Sequence, residues 1–184
     1  MKNNTVKVAI IGCGRVSGHH CQSIVQTEGV ELIGVCDLII KKARVYHEKY
    51  GAKAYDNYHQ MLQENPQINT VAVVSPSGMH YEHALDIISR YNKNIIIEKP
   101  TFMKPSQVME AHSKAVAAGV QIFAIFQNRY NLAVKRVMHG LKHGELGQLR
   151  SAAVRVRWCR PQNYYDLAPW RGTFSMDGGC LTNQ

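Results

Sequence analysis

Gly12-Cys13-Gly14-Arg15-Val16-Ser17-Gly18 follows a short apolar run, residues 6–11, and precedes a stretch that suits a helix. A glycine at position 12 permits a sharp turn, and one at position 14 lets the backbone approach a bulky anion. Free N–H groups and the positive dipole end at the helix start then favour a diphosphate. The third glycine position of a G-x-G-x-x-G fingerprint is held by Ser17, which is small enough to keep helix and strand close. Asp37, twenty-three positions after Gly14, closes a second β-rich run, residues 30–36. A carboxylate there can accept hydrogen bonds from the hydroxyls of an adenosine ribose. That combination points to NAD; a 2′-phosphate would face a like charge, although Lys41 and Lys42 leave some room for NADP. The bland alternatives are a purely structural glycine turn and an Asp37 that only caps the next helix. His19-His20 and His80-x-x-His83 pair imidazoles without the cysteine or carboxylate spacing of a metal set, so no metal is expected.

These residues need a scaffold, and the chain spells one out. Helical patterning over roughly residues 15–26 and residues 41–50, the latter stopped by Gly51, alternates with the β-rich runs. Asp56 is placed to cap a short helix carrying Tyr58, Met61 and Leu62, and residues 70–74 read as a strand stopped by Ser75-Pro76. Residues 80–89 have helical spacing, residues 95–97 form a short strand ending in Glu98-Lys99-Pro100, and Pro105 suits the first turn of a helix that Gly119 ends. Residues 120–126 supply one more strand. Strands alternating with helix-length connections predict an α/β domain, a doubly wound parallel sheet of the Rossmann type, over residues 1–125. Residues 126–184 change character: a helix is expected at 132–143, and Val154, Val156 and Trp158 alternate with Arg155 and Arg157 as in a strand with one polar face. This is the expected start of an α+β substrate and oligomerisation domain with a largely antiparallel sheet.

The chain has 184 residues, 45% apolar and 19% charged, an ordinary globular composition. Its net charge of +9 suits an anionic partner. Most of the excess lies after residue 128, where Arg129 could hold a diphosphate or carboxylate bidentately. No nucleic-acid module is recognisable, so that partner is not expected. The five cysteines are odd in number and scattered, which argues against a disulfide framework and for a reducing cytoplasm. No apolar stretch nears the length of a membrane span, and no membrane association is expected.

Gly12-x-Gly14, Ser75-Pro76-x-x-x-His80 and Glu98-Lys99-Pro100, in this order, resemble the glucose–fructose oxidoreductase, inositol dehydrogenase and rhizopine catabolism (Gfo/Idh/MocA) family, and the resemblance extends over essentially the whole chain. It implies that Arg15 and Val16 join the glycines at the cofactor and that Ser75, Pro76 and His80 line the cleft. It implies that Lys99 lies beside the reacting carbon and shuttles the hydroxyl proton as hydride leaves. Burial and a positive nicotinamide ring would favour the amine form, and Glu98 would oppose it if it pointed inward, so Glu98 is expected to face elsewhere or to contact the cofactor. Pro100 is implied to follow a cis bond. Trp170, Arg171 and Gln127 would lie near the cofactor, Asn128, Arg129 and Tyr130 near the substrate, and Asn183 at both substrate and Lys99.

The stretches Gln127-Asn128-Arg129-Tyr130-Asn131, Trp170-Arg171-Gly172-Thr173 and residues 177–184 are similar to one branch of that family. Its members oxidise the 3-hydroxyl of UDP-N-acetylglucosaminuronic acid type nucleotide sugars for surface polysaccharides. The branch pattern continues with Gly-x-His after the Asn-Gln seen here, so the second domain is expected to be only begun, and members are expected to form dimers or tetramers. The competing expectations are a family dehydrogenase for inositol or a simple sugar, and a dinucleotide-binding regulator without catalysis.

Overall fold

The computed structural model describes residues 5–183; Gln184 and the side chains of Cys180 and Leu181 lie outside the described residues. Strands β1 (Val6–Ile11), β2 (Val30–Cys36), β3 (Lys53–Tyr55), β4 (Thr70–Val73), β5 (Asn94–Ile97) and β6 (Ile122–Ala124) make one sheet in the order β3-β2-β1-β4-β5-β6. Every neighbouring pair is parallel. Successive residues of a strand face opposite sides of a sheet. In β1 this sends Val8 and Ile10 to one face and Ala9 and Ile11 to the other, all buried. Helices α1 (Ser17–Gln26) and α2 (Ile40–Tyr50) cover the first face through Cys21, Ile24 and Ala43. Helices α3 (Tyr58–Glu64), α4 (His80–Tyr91) and α5 (Pro105–Ala118) cover the second through Met61, Leu62, Ile87, Ile88, Ala111 and Ala115. The doubly wound parallel sheet is therefore present.

From β1 the chain builds outward to β2 and β3, then crosses back to place β4 on the other side of β1. The connections after β1 and β4 diverge at this reversal, and the crevice between them is where open α/β sheets take ligands. Two local readings change. The cap of α3 is Asn57 and not Asp56, because its Oδ1 sits two residues ahead of the His59 N–H, accepting from it at 2.8 Å and from Gln60 at 3.3 Å. Strand β3 is additional to the expected elements: three residues at the sheet edge carry no alternation to read.

The chain divides into two compact units, one of residues up to Ile125 together with Gly172 onward, the other Phe126–Arg171. The first thus includes two single-turn helices, α8 (Phe174–Asp177) and α9 (Cys180–Asn183), numbered after the two helices of the second unit, α6 (Leu132–Lys142) and α7 (Gln162–Asp166). Residues 172–183 were expected with the second domain; they join the first unit because Met176 packs against the turn at Gly78, where a Cβ would meet its Sδ at 2.5 Å. In the second unit, α6 is capped by Asn131, whose Oδ1 accepts from Ala133 N at 2.9 Å. Residues 154–158 are not a strand: Val154, Val156 and Trp158 are 89%, 62% and 57% exposed, and the unit has no strand among the described residues to complete a ladder. No helix among the described residues is long and apolar enough to cross a membrane.

Candidate cofactor cleft and lysine site

The turn after β1 is held from three sides. Gly12 adopts φ +97°, and a Cβ on it would lie 2.6 Å from Val74 O and 2.7 Å from Ser75 N, so the β1 turn and the β4 turn touch backbone to backbone. Ser17, fully buried, donates its hydroxyl to Gly12 O at 2.6 Å, which is what the side chain at the third fingerprint position adds beyond being small. Tyr46 reaches from α2 to Gly14 O at 2.8 Å. Around Gly14 itself a Cβ would meet nothing within 4 Å, so the backbone there stands open to a large group. Arg15 and Val16 are exposed at the head of α1.

Asp37 is not a mere helix cap. Its Oδ2 accepts from Cys13 N at 2.9 Å, tying β2 to the glycine turn, and its Oδ1 accepts from Ile39 N at 2.9 Å. Each carboxylate oxygen keeps acceptor capacity after these bonds, and the side chain is only half-buried, so ribose hydroxyls can still be received. Burial, with the Asp37 charge close by, pushes the Cys13 thiol well above its ordinary range, and burial raises Cys36 to about 12. No thiolate therefore competes with a phosphate at this turn. The open backbone at Gly14, the helix start and the carboxylate suit a dinucleotide, whose diphosphate the turn would hold and whose ribose Asp37 would grip.

At the end of β4, Ser75 Oγ lies 2.9 Å from His83 Nδ1. Pro76 leads into a single 3-10 turn, Ser77–Met79. His80 was expected to line the cleft, yet it is 1% exposed, with Nδ1 2.8 Å from Pro100 O and Nε2 2.9 Å from Ser75 O. A ring enclosed in this way offers no edge to a ligand; it is a strut between the β4 and β5 turns. Burial depresses its basicity, against the pull of the two carbonyls, and burial followed by the neighbouring His80 does the same to His83.

The end of β5 brings Glu98, Lys99 and Pro100 to this edge, with a cis Lys99–Pro100 bond. Glu98 turns away from the lysine head: its Oε1 meets His20 Nε2 at 2.8 Å and its Oε2 accepts from Lys99 N at 3.1 Å. Burial raises this carboxyl, but the His20 hydrogen bond and charge, with the Lys99 N–H and charge, outweigh it and leave it below the ordinary value. Lys99 Nζ donates to Asn183 twice, to the backbone O and to Oδ1, each at 2.6 Å. Asn183 is 8% exposed, and its Nδ2 donates to Oδ1 of the buried Asp177, whose Oδ2 accepts from Gly172 N at 2.8 Å.

Gly12, Asp37, Ser75, Glu98, Lys99 and Asn183 thus belong to one unit, the first five at the carboxyl ends of its strands. Gln127, Asn128, Arg129, Tyr130, Trp170 and Arg171 belong to the other. There, residues 127–130 form an exposed 3-10 turn with Arg129 5.3 Å from the Phe126 ring, and Arg171 lies 4.5 Å from the Tyr164 ring and 5.6 Å from that of Trp170. Sequence reasoning missed His20 as the partner of Glu98 and Asp177 as the partner of Asn183. Only the position of His20, one turn beyond Ser17 on α1, could have hinted at the first.

The model of the oxidoreductase family with an NAD-binding Rossmann fold, Gfo/Idh/MocA, matches residues 6–126. D-glucoside 3-dehydrogenase of Escherichia coli is 31% identical over 159 residues, covering 85% of this chain and 44% of that protein. The WlbA dehydrogenase of Bordetella pertussis, solved in complex with NADH and UDP-GlcNAcA, superposes with a TM-score of 0.92 at 29% identity over 98% of this chain and 55% of its own. The WlbA dehydrogenase of Chromobacterium violaceum, solved with the same two ligands, gives 0.93 at 29% identity over 100% and 53%. The chain therefore spans about half the length of these relatives. It belongs to the Gfo/Idh/MocA oxidoreductase family, and its first unit carries that family's NAD-binding Rossmann fold.

Proposed function

We propose that the protein carrying this chain is an NAD-dependent dehydrogenase that oxidises the 3-hydroxyl of a UDP-N-acetylglucosaminuronic acid type nucleotide sugar. The observation that carries the reading is Lys99, held at 2.6 Å on two oxygens of Asn183 at the edge of the crevice that Gly12, Gly14 and Asp37 shape for a dinucleotide. The likeness to the two nucleotide-sugar dehydrogenases runs through 98–100% of the chain, beyond the Rossmann unit, and favours this substrate class over a free sugar or inositol.

With the N–H groups of Gly12 and Cys13 given to Cys36 O and Asp37, those from Gly14 into the start of α1 would hold the diphosphate, and Asp37 would hold the adenosine ribose. When bound, NAD supplies the acceptor for hydride from the sugar carbon. Lys99 Nζ takes the hydroxyl proton as the carbonyl forms, so the alcohol yields a ketone, a hydride and one proton. Of the three substituent directions at Nζ, two are committed to Asn183. The third is left for the substrate hydroxyl, and the lone pair of the amine form lies along it. Glu98 is kept out of this exchange by His20. Arg129, Asn128 and Tyr130, with Arg171, Trp170 and Gln127, are assigned to substrate and cofactor as the family pattern implies.

The test is incubation with NAD and a panel of UDP-sugars, glucosides and inositol, read by the absorbance of reduced nicotinamide. The uronic nucleotide sugar is expected to react, and K99M to lower kcat by about 10²–10⁴-fold, the usual scale of proton-transfer catalysis, while NADH affinity stays within about threefold. Turnover of inositol or a glucoside without any UDP-sugar would overturn the substrate, and NADH binding without any turnover would favour a regulator.

A further inference from the structure

Asp177 is 5% exposed and carries a carboxylate. Both of its oxygens are spoken for: Oδ2 accepts from Gly172 N at 2.8 Å and Oδ1 accepts from Asn183 Nδ2. An amide side chain can present either end to a neighbour, and only the hydrogen bonds around it decide which. A carboxylate accepts and cannot donate, so it admits only the NH2 end of Asn183. The Oδ1 end is thereby turned to Lys99, where it receives Nζ at 2.6 Å. Were the amide reversed, its NH2 group would meet a Lys99 Nζ–H group donor to donor.

We propose that Asp177 is a positioning residue: it fixes the orientation of the Asn183 amide and through it the direction in which Lys99 Nζ faces substrate. This rests on the proton-transfer role given to Lys99 above. Asp177 reaches no reacting atom. The relay Asp177–Asn183–Lys99 joins α8, α9 and the end of β5, so residues 172–183 complete a site that the Rossmann strands only begin. Met176, adjacent in sequence, packs this segment against the Gly78 turn beyond β4.

The test exchanges the two side chains. In D177N an amide faces an amide: if residue 177 keeps accepting from Gly172 N, the two NH2 groups collide or Asn183 reverses and releases Lys99, and if it turns its oxygen to Asn183 instead, the Gly172 bond is lost. In N183D two carboxylates face each other. In the double variant D177N/N183D, residue 177 accepts from Gly172 N and donates to residue 183, whose other oxygen receives Lys99, so every hydrogen bond is remade with one reversed in sense. Each single variant is expected to lose about 100-fold in kcat, the scale of a misplaced catalytic group, with KM for the sugar changed less than about threefold in D177N. Because the carboxylate of residue 183 then sits on Nζ and favours the ammonium, the double variant is expected to recover at least about tenfold over either single variant with its pH–rate profile displaced to higher pH, a non-additivity that unrelated structural damage would not produce.

Crystal structures of the parent and D177N provide a readout independent of turnover: the Lys99–Asn183 Oδ1 bond is expected in the first and absent in the second. A D177N in which residue 177 keeps its Gly172 bond, yet the Lys99–Asn183 bond and kcat are retained, overturns the proposal, as does a double variant no better than the singles at every pH. If D177N fails to fold, the double variant still decides, because it must fold and hold Lys99. If the parent oxidises none of the sugars, the reaction assigned above fails while the crystal structures still judge the role of Asp177.

Discussion

Gly12 and Gly14 do different things, and the difference can be measured. At Gly12 a methyl group would be forced within 2.6 Å of a carbonyl oxygen, on a backbone with φ +97° that side chains resist. Backbone strain of about 1–3 kcal/mol and overpacking of similar size predict that G12A destabilises the fold by about 2–5 kcal/mol in urea unfolding. At Gly14 nothing stands within 4 Å, so G14A should leave stability within about 1 kcal/mol, yet its methyl enters the space proposed for a diphosphate. NADH affinity measured by fluorescence titration is therefore expected to fall at least about tenfold for G14A. Equal destabilisation by both would contradict the separation of roles. Spacing alone singled out these glycines and Asp37 as candidates, because the fingerprint lies within one strand–turn–helix–strand unit. His20 with Glu98, 78 positions apart, and Asn183 with Lys99, 84 apart, are joined only by tertiary packing. The family resemblance could suggest Lys99 and Asn183; no local pattern suggested His20 or Asp177.

Among elements, the turns after β4 and β5 are coupled by one buried ring. His80 bridges Ser75 O and Pro100 O, and burial depresses its basicity below the ordinary value of about 6.5, against the pull of those two carbonyls. The unfolded chain then binds protons that the folded chain refuses, so stability rises with pH across the window below about 6.5 and is lost on acidification through it. His83 is shifted in the same direction and adds to the slope. Glu98, held below its ordinary value of 4.5, works in the same sense but only in a more acidic window. The expectation is a fall in unfolding free energy between about pH 7 and about pH 5, with a shallower fall in H80Q. Urea titrations at each pH would show it, and an unchanged slope in H80Q would assign the effect elsewhere.

Much of the order of these elements was legible, because the strands of a doubly wound sheet are buried on both faces and read as apolar runs ended by glycine, proline or aspartate. The short edge strand β3 had no such run. Residues 154–158 had the alternation without a neighbour to pair with, and alternation alone does not make a strand.

The two units differ in how completely they bury their apolar groups. In the first, two buried clusters fill both faces of the sheet. In the second, Val137, Met138, Leu149, Val154, Val156 and Trp158 are each more than half exposed, the largest value being 89% for Val154. Exposed apolar groups at this density mark surfaces that other protein covers, at about 25 cal/mol for each Å² removed from water. Arg155 and Arg157 alternate with three of these residues and set their charge against indiscriminate stacking, so association should be limited in extent and not open-ended. The 184-residue chain is therefore expected to self-associate, its weight-average mass in sedimentation velocity rising with loading concentration. V154T/V156T/W158Q should blunt that rise. Because these side chains are exposed, the same variant should change unfolding free energy by no more than about 0.5 kcal/mol and NADH affinity by less than about threefold. A parent chain that sediments as one monomeric species at every concentration would show that this surface needs no cover, and a variant that associates as strongly as the parent would place the contact on another face.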